Sequence, residues 1–223
     1  MSLELRRADW AVMAAFISTF LWFSVNALVV WIGWLYLNLA ISAAVLTLAA
    51  LRWDGPGYLK HGVIAAIGGA LIYSIVDRLF VRMVMVLSYL RRDVPVFSTP
   101  LSVVLTWALM IEIGIYLYLR MREFTGRFYI PALIIGALAF ASTIGLSELG
   151  SAGRIWVWNI SRAPRPFIAH TPLYTALANF FVPFTAPYVV QHRIIGAIRC
   201  GVAISAIQLA CYIFFFKIMP IPL

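Results

Sequence analysis

Charge is scarce in this chain, and that scarcity decides its class. Charged residues fill only 11% of its 223 positions, hydrophobic residues fill 64%, and mean hydropathy is +0.97. A soluble domain has no means of hiding that much apolar surface. Cysteine is nearly missing as well. Cys200 and Cys211 are the two present, and on one helix they would stand about 16 Å apart, beyond disulfide reach. They read as apolar fillers and say nothing of redox compartment. His61, His170 and His192 are scattered, none with a ligand partner one helical turn away, so zinc, haem and di-iron chemistry are not expected. The chain also lacks an Asp-rich prenyl-diphosphate motif, a Walker loop, a nucleotide fingerprint and a Gly-x-Ser-x-Gly elbow. No metal and no cofactor is therefore expected. Without a low-complexity tail or polar linker, residues 1–223 read as a single integral membrane domain.

What is present is long apolar text. About 20 apolar residues cross a bilayer, so the run Trp10–Leu51 must hold two helices, Trp10–Val30 and Gly33–Leu51. That run is much longer than a signal-peptide core and has no small-residue cleavage pattern after it, so it is expected to be retained. Five further spans are expected near Gly62–Phe80, Pro100–Leu119, Tyr129–Leu146, Pro172–Val190 and Ile195–Phe216. The expected fold is an all-α, polytopic membrane helical bundle of about seven transmembrane helices.

The net charge of +9 would point to nucleic acid in a soluble protein. Here the basic residues cluster between apolar runs, so anionic lipid headgroups are the expected partners and nucleic acid is not. Arg6 and Arg7 favour a cytoplasmic N-terminus in a cell membrane, with Arg52, Lys60, Arg120, Arg122, Arg127, Arg193 and Arg199 on the same side. Arg78, Arg82, Arg91, Arg92, Arg154, Arg162 and Arg165 fall on the other side, so the two sides are nearly balanced.

The chain repeats itself. Ser98-Thr99-Pro100-Leu101 opens the fourth span and His170-Thr171-Pro172-Leu173 opens the sixth; at the same offset Leu105 matches Leu177 and Tyr116 matches Tyr188. Each helix starts with proline in the first turn, where its missing N–H costs nothing. A weaker echo links Gly69-Ala70-Leu71-Ile72-Tyr73 to Gly136-Ala137-Leu138-Ala139-Phe140. The pattern reads as one helix followed by three helical hairpins, made of spans two–three, four–five and six–seven. The connections Val81–Thr99 and Glu148–Thr171 mix Arg, Trp and Pro and read as interfacial caps over one end of the bundle.

Glu112 is the sole acidic or basic residue within Pro100–Leu119. A carboxylate at the centre of a span costs roughly 2.5–3.5 kcal/mol on insertion scales, so it is a leading candidate for function. Its helical neighbours at i±3 and i±4 are apolar except Tyr116, and a neutral acid in such a setting is suited to donating a proton to a lipophilic substrate. The plainer reading is an interhelical hydrogen bond to Asn26, Asn38, Asn179 or Gln208. Asp77 and Glu148 stand at corresponding ends of the third and fifth spans and are the alternative acids. Asp77 has Arg78 beside it, which favours a local structural pair. Trp107, Tyr116, Trp158 and Asn179 are the expected pocket residues. Pro183 and Pro187 are expected to kink the sixth span and open a cavity.

The Pro-Leu helix openings at Pro100 and Pro172, the hairpin layout and the passage from Glu148 through Trp156 and Trp158 to Pro172-Leu173 resemble the small seven-span carotenoid hydratase and lycopene cyclase-like enzymes. A looser resemblance reaches the membrane meroterpenoid cyclases. The similarity covers the second half of the chain. Lycopene cyclase-like proteins place a glutamate two residues after the helix-opening proline, whereas this chain has Ser102 and Tyr174 there, so no catalytic glutamate is carried over by motif. The resemblance implies a cofactor-free reaction: an alkene or epoxide is protonated, and the carbocation cyclises, rearranges or captures water. The leading expectation is thus a membrane enzyme for a lipophilic isoprenoid substrate, acting as a cyclase, isomerase or hydratase (lyase) in terpenoid or carotenoid biosynthesis. The alternative is a non-enzymatic membrane protein, either a proton-coupled transporter or an assembly scaffold. Protein partners are left open.

Overall fold

A computed structural model of the chain describes residues 5–189 and 193–218. In chain order its elements are α1 (Arg7–Val29), α2 (Gly33–Arg52), α3 (Tyr58–Arg78) with a π-helical extension (Leu79–Val84), β1 (Leu87–Tyr89), β2 (Pro95–Val96), β3 (Thr99–Pro100), α4 (Leu101–Thr125) and α5 (Tyr129–Ala152). There follow β4 (Trp156–Trp158), β5 (Phe167–Ile168), β6 (Thr171–Pro172), α6 (Leu173–Phe181), a 3-10 turn (Val182–Thr185), α7 (Ala186–Val189) and α8 (Arg193–Ile213), which ends in a π-turn (Phe214–Ile218). Among the described residues six helices are long and apolar enough to cross a membrane.

The expected span Pro172–Val190 is not one continuous helix. Pro183 and Pro187 supply no backbone N–H to the i→i−4 ladder, and the chain breaks at Val182–Thr185 between α6 and α7. Val190 and His192 lie outside the described residues.

α4 is the central helix. Of its apolar window 56% is buried, against 28% for α1 and for α2. Of the expected hairpins, α4 and α5 pack together and so do α6 and α8, but α2 and α3 touch little; the main seams run instead between α3 and both α4 and α8, between α1 and α2, and between α5 and α6. Small residues explain the choice, since helices without a water-driven force between them associate where backbones approach closely. A Cβ added to Gly69 would meet the Cys200 sulfur at 2.9 Å, and one added to Gly201 would run into Ile72. Gly68 likewise faces Ala197, so numbers rise together on α3 and α8 and the two helices run parallel. Cys200 and Cys211 are both free, the former buried in this seam.

The two long connections do cap one end of the bundle, and they do so with short strands. β1 pairs antiparallel with β4 in the register Leu87↔Trp158, Ser88↔Val157 and Tyr89↔Trp156. Each cap also holds a hairpin, β2–β3 and β5–β6, that feeds straight into a helix through Thr-Pro. The two caps are copies of one motif. Met85 and Arg154, each two residues before its strand, take positive φ (58° and 53°), and so do the hairpin residues Phe97 and Ala169 (59° and 51°). Leu101 N–H bonds to Val94 C=O and Leu173 N–H to Pro166 C=O, at equivalent places. The repeating unit is therefore helix–cap–helix, α3 to α4 and α5 to α6, with β1 and β4 meeting about a local twofold relation.

Candidate functional site

A cavity of about 260 Å³ lies beneath the caps. Its lining residues on α4 run from Val103 to Tyr118, about 22 Å at 1.5 Å per residue, so it is long and narrow. Tyr73, Phe80, Trp107, Trp156, Trp158 and Tyr174 give it aromatic walls, and β1 and β4 roof it. Tyr73 and Trp107 meet edge to face with centroids 4.8 Å apart, and Tyr174 contacts Phe80, Trp158 and Tyr212. Among the described lining residues there is one carboxylate, Asp77, and no Lys or Arg.

Asp77 sits in the last turn of α3 and is 1% exposed. Thr99 Oγ1 donates to its Oδ2 at 2.6 Å and Tyr89 Oη donates to the same oxygen at 2.9 Å. Oδ1 has no hydrogen-bond partner among the described residues. Burial, with Asp77 beside it, pushes the Tyr89 phenol well above its ordinary range, so Tyr89 keeps its proton and acts as a donor. The expected Asp77–Arg78 pair is not formed among the described residues. Adjacent helical residues do not face one another, and Asp77 turns inward while Arg78 is exposed.

Glu112 lies elsewhere. It is absent from the cavity wall, and a Cβ on Gly62 of α3 would meet its Cγ at 3.6 Å. The lining stripe of α4 includes Trp107, Ile111 and Gly114, while Ala108, Leu109, Glu112 and Tyr116 share the other face. The amides considered as its partners are engaged without it. Asn26 accepts from Arg91, Asn38 accepts from Ser18, and Gln208 donates to Asn179.

Tyr116 is also outside the cavity, in a polar cluster at the uncapped end. Its Oη donates to Asp9 Oδ1 at 2.6 Å, Arg120 Nε donates to the same carboxylate at 3.2 Å, and Arg6 and Arg120 both pair with Glu123. This cluster ties α1 to α4. Glu148 lies at the rim, where Oε1 accepts the His170 N–H at 2.8 Å and Oε2 meets His170 Nδ1 at 2.7 Å.

Of the expected pocket residues, Trp107, Trp158 and Asn179 line the cavity and Tyr116 does not; of the three acids, Asp77 does and Glu112 and Glu148 do not. Tyr89 and Thr99 are the site residues that sequence reasoning missed. Thr99 had a signal, since it belongs to the repeated Thr-Pro-Leu motif; Tyr89 sits in a cap with nothing to mark it.

Two further side chains stand out. Trp158 Nε1 donates to Ser147 Oγ at 2.8 Å, and Asn179 links α6 to α5 and α8 through Thr143 and Gln208. The model of the family described as Domain of unknown function (DUF6989) matches residues 74–219. The matched stretch takes in Asp77, both caps and α4 to α8, and leaves α1 and α2 outside. No curated protein and no solved structure matches the chain.

Proposed function

We propose that this chain, which belongs to the DUF6989 family, is a membrane-embedded enzyme of about seven spans. In this reading it acts on a neutral, lipophilic isoprenoid by proton-initiated carbocation chemistry. One observation carries it: a single carboxyl, held by two hydroxyls on Oδ2 and unpartnered at Oδ1, set in an aromatic-walled cavity.

In its acid form Asp77 carries its proton on Oδ1, because Oδ2 is already the acceptor for Tyr89 and Thr99. That proton passes to one carbon of an alkene, or to an epoxide oxygen, and leaves a tertiary cation. The same two hydroxyls then stabilise the carboxylate that forms, with no rearrangement needed at the moment of transfer. Faces of Trp107, Trp158 and Tyr174 stabilise the positive charge, and the apolar walls disfavour bulk water beside it. Return of a proton to Asp77 completes the cycle, giving a cyclised, isomerised or hydrated product without a cofactor. The absence of Lys and Arg from the described wall favours a neutral substrate over a diphosphate, which needs cationic partners. A cytoplasmic N-terminus would put both caps on the outer side of a cell membrane.

The test uses membranes containing the chain in D₂O, supplied with all-trans-geranylgeraniol, squalene or a geranylgeranylated hydroquinone. Carbon-bound deuterium in recovered lipid is expected with wild type and is lost in Asp77→Asn at matched expression. Equal deuteration in Asp77→Asn would remove Asp77 as the acid. No deuteration with any of the three would turn the assignment toward transport or assembly.

A further inference from the structure

Gln208, Asn179 and Thr143 form a hydrogen-bonded relay across three helices, and all three side chains line the cavity. Its polarity is fixed by chemistry. The Thr143 hydroxyl donates to the Ala139 carbonyl at 2.8 Å, so toward Asn179 its oxygen only accepts. Asn179 must therefore present its NH₂ to Thr143, at 2.8 Å, which turns its carbonyl toward Gln208. Gln208 in turn presents its NH₂ to that carbonyl, at 3.0 Å. The far end is the Gln208 carbonyl oxygen, Oε1, an acceptor with no partner among the described residues, on a side chain that is 2% exposed.

The depth of that acceptor follows from the parallel seam. Gly68 faces Ala197, Gly69 faces Cys200 and Ile72 faces Gly201; further along, Val76 and Leu209 pack in one cluster. Eight residues on from the Gly69–Cys200 contact, the parallel seam brings Asp77 level with Gln208, so the acid and the free acceptor sit at the same level of the cavity. Gln208 lines the cavity with this acceptor unpaired, and a hydroxyl in the cavity is a neutral group that would satisfy it.

We infer that Gln208 is a positioning residue for the oxygen nucleophile that ends the reaction. This rests on the proton-initiated reading above and specifies its outcome as capture by oxygen. Asp77 gives its proton to one alkene carbon and the neighbouring carbon becomes cationic. A hydroxyl whose hydrogen is held by Gln208 Oε1, from water or from the substrate itself, forms the new C–O bond with its lone pair. The oxonium proton then goes to the Asp77 carboxylate, which restores the acid; the amide, too weak a base to keep a proton, only orients the hydroxyl. Water gives a tertiary alcohol, and an internal hydroxyl or phenol gives a cyclic ether of unchanged mass.

The experiment reads product partition in D₂O with the geranylgeranylated hydroquinone. Wild type is expected to give mainly deuterated cyclic ether or alcohol. Gln208→Leu is expected to keep incorporating deuterium while the ratio of oxygen-captured product to deuterated alkene falls about tenfold, as for loss of one hydrogen bond. Thr143→Val, which leaves Gln208 in place and frees the relay to reverse, is expected to shift the ratio in the same direction by a smaller factor and covers the case in which Gln208→Leu does not fold. A ratio unchanged in the folded variants, or a wild type that yields deuterated alkenes alone, overturns the relay's role while leaving Asp77 as the acid. Absence of deuterium from wild-type product overturns both.

Discussion

Thr99 and Thr171 hold the same place in two copies of one motif, and each donates its hydroxyl to the acid that closes the preceding long helix. Thr99 Oγ1 lies 2.6 Å from Asp77 Oδ2, and Thr171 Oγ1 lies 3.3 Å from Glu148 Oε1. Equivalent places in the fold have unequal settings. The Asp77 carboxyl is buried among aromatic rings, whereas the Glu148 side chain is 32% exposed and is paired with a His170 side chain that is 67% exposed. The other cross-helix contacts differ in the same sense: Tyr73 meets Trp107 edge to face in one unit, and in the other Thr143 accepts from Asn179. The first unit supplies the acid, and the second supplies the Asn179 amide together with the Trp158 and Tyr174 rings.

Asp77→Asn keeps an oxygen for Tyr89 and Thr99 and is expected to fold. Deuterium transfer to carbon should fall about 10³-fold, within the range for losing a general acid. Glu112→Gln and Glu148→Gln should retain most of the transfer, measured on the same membranes.

Trp107→Leu removes a ring face at the level of Tyr73 while leaving an apolar side chain. Turnover is expected to drop about 2- to 30-fold, the worth of one cation–π contact of roughly 0.5–2 kcal/mol. Trp107→Phe should restore part of it, and initial rates at saturating substrate give the comparison.

How far the sequence reached depends on the kind of information each feature needs. Hydropathy is local, so it sets Tyr129 as the start of α5 and Gly33 as the start of α2, as the structure has them. The Thr-Pro-Leu openings were also visible, and the structure gives them identical hairpins. Partner choice among helices was not legible: the Gly69–Cys200 seam joins residues far apart in sequence, and no loop length announces it. Three-residue strands such as β1 carry too few residues to show an alternation. Glu112 stood out because its neighbours are apolar, yet apolarity in a membrane helix does not say which face looks inward; one position away, Ile111 and Ile113 line the cavity. In the sequence Arg78 is the visible partner for Asp77, because Tyr89 and Thr99, its actual partners, are brought in by the cap.

Arg120→Met is expected to lower stability by about 3–5 kcal/mol, since it strands the buried Asp9 carboxylate. Tyr116→Phe removes one donor to Asp9 and should cost about 1–1.5 kcal/mol. Thermal unfolding in detergent reads both, and deuterium transfer per folded molecule should not change in Tyr116→Phe, because that side chain is outside the cavity.

Asp93 caps α4. Burial alone would raise its carboxyl, but hydrogen bonds from the Ser102 hydroxyl and N–H and from Tyr36 outweigh it and hold the group below the usual carboxylate range. A depressed carboxyl contributes stability that is complete above its unfolded pKa and is lost as pH falls through the folded one. The melting temperature should therefore hold between about pH 7 and pH 5 and decline below about pH 4. Asp93→Ala should cost about 1 kcal/mol at neutral pH, as for loss of a helix cap, and remove its share of the acid decline.

Pro183 and Pro187 have a second effect besides breaking the sixth helical passage. Val182, Pro183, Thr185 and Ala186 all line the cavity, so this stretch of wall is built around a turn in which the Pro183 ring fixes its own φ. Thr185 Oγ1 also donates to the Val182 carbonyl at 2.7 Å, which pins the turn from within. Such a wall has little conformational freedom left to lose when a guest arrives. The mould is set before casting, and discrimination among lipids of similar polarity falls to their contour.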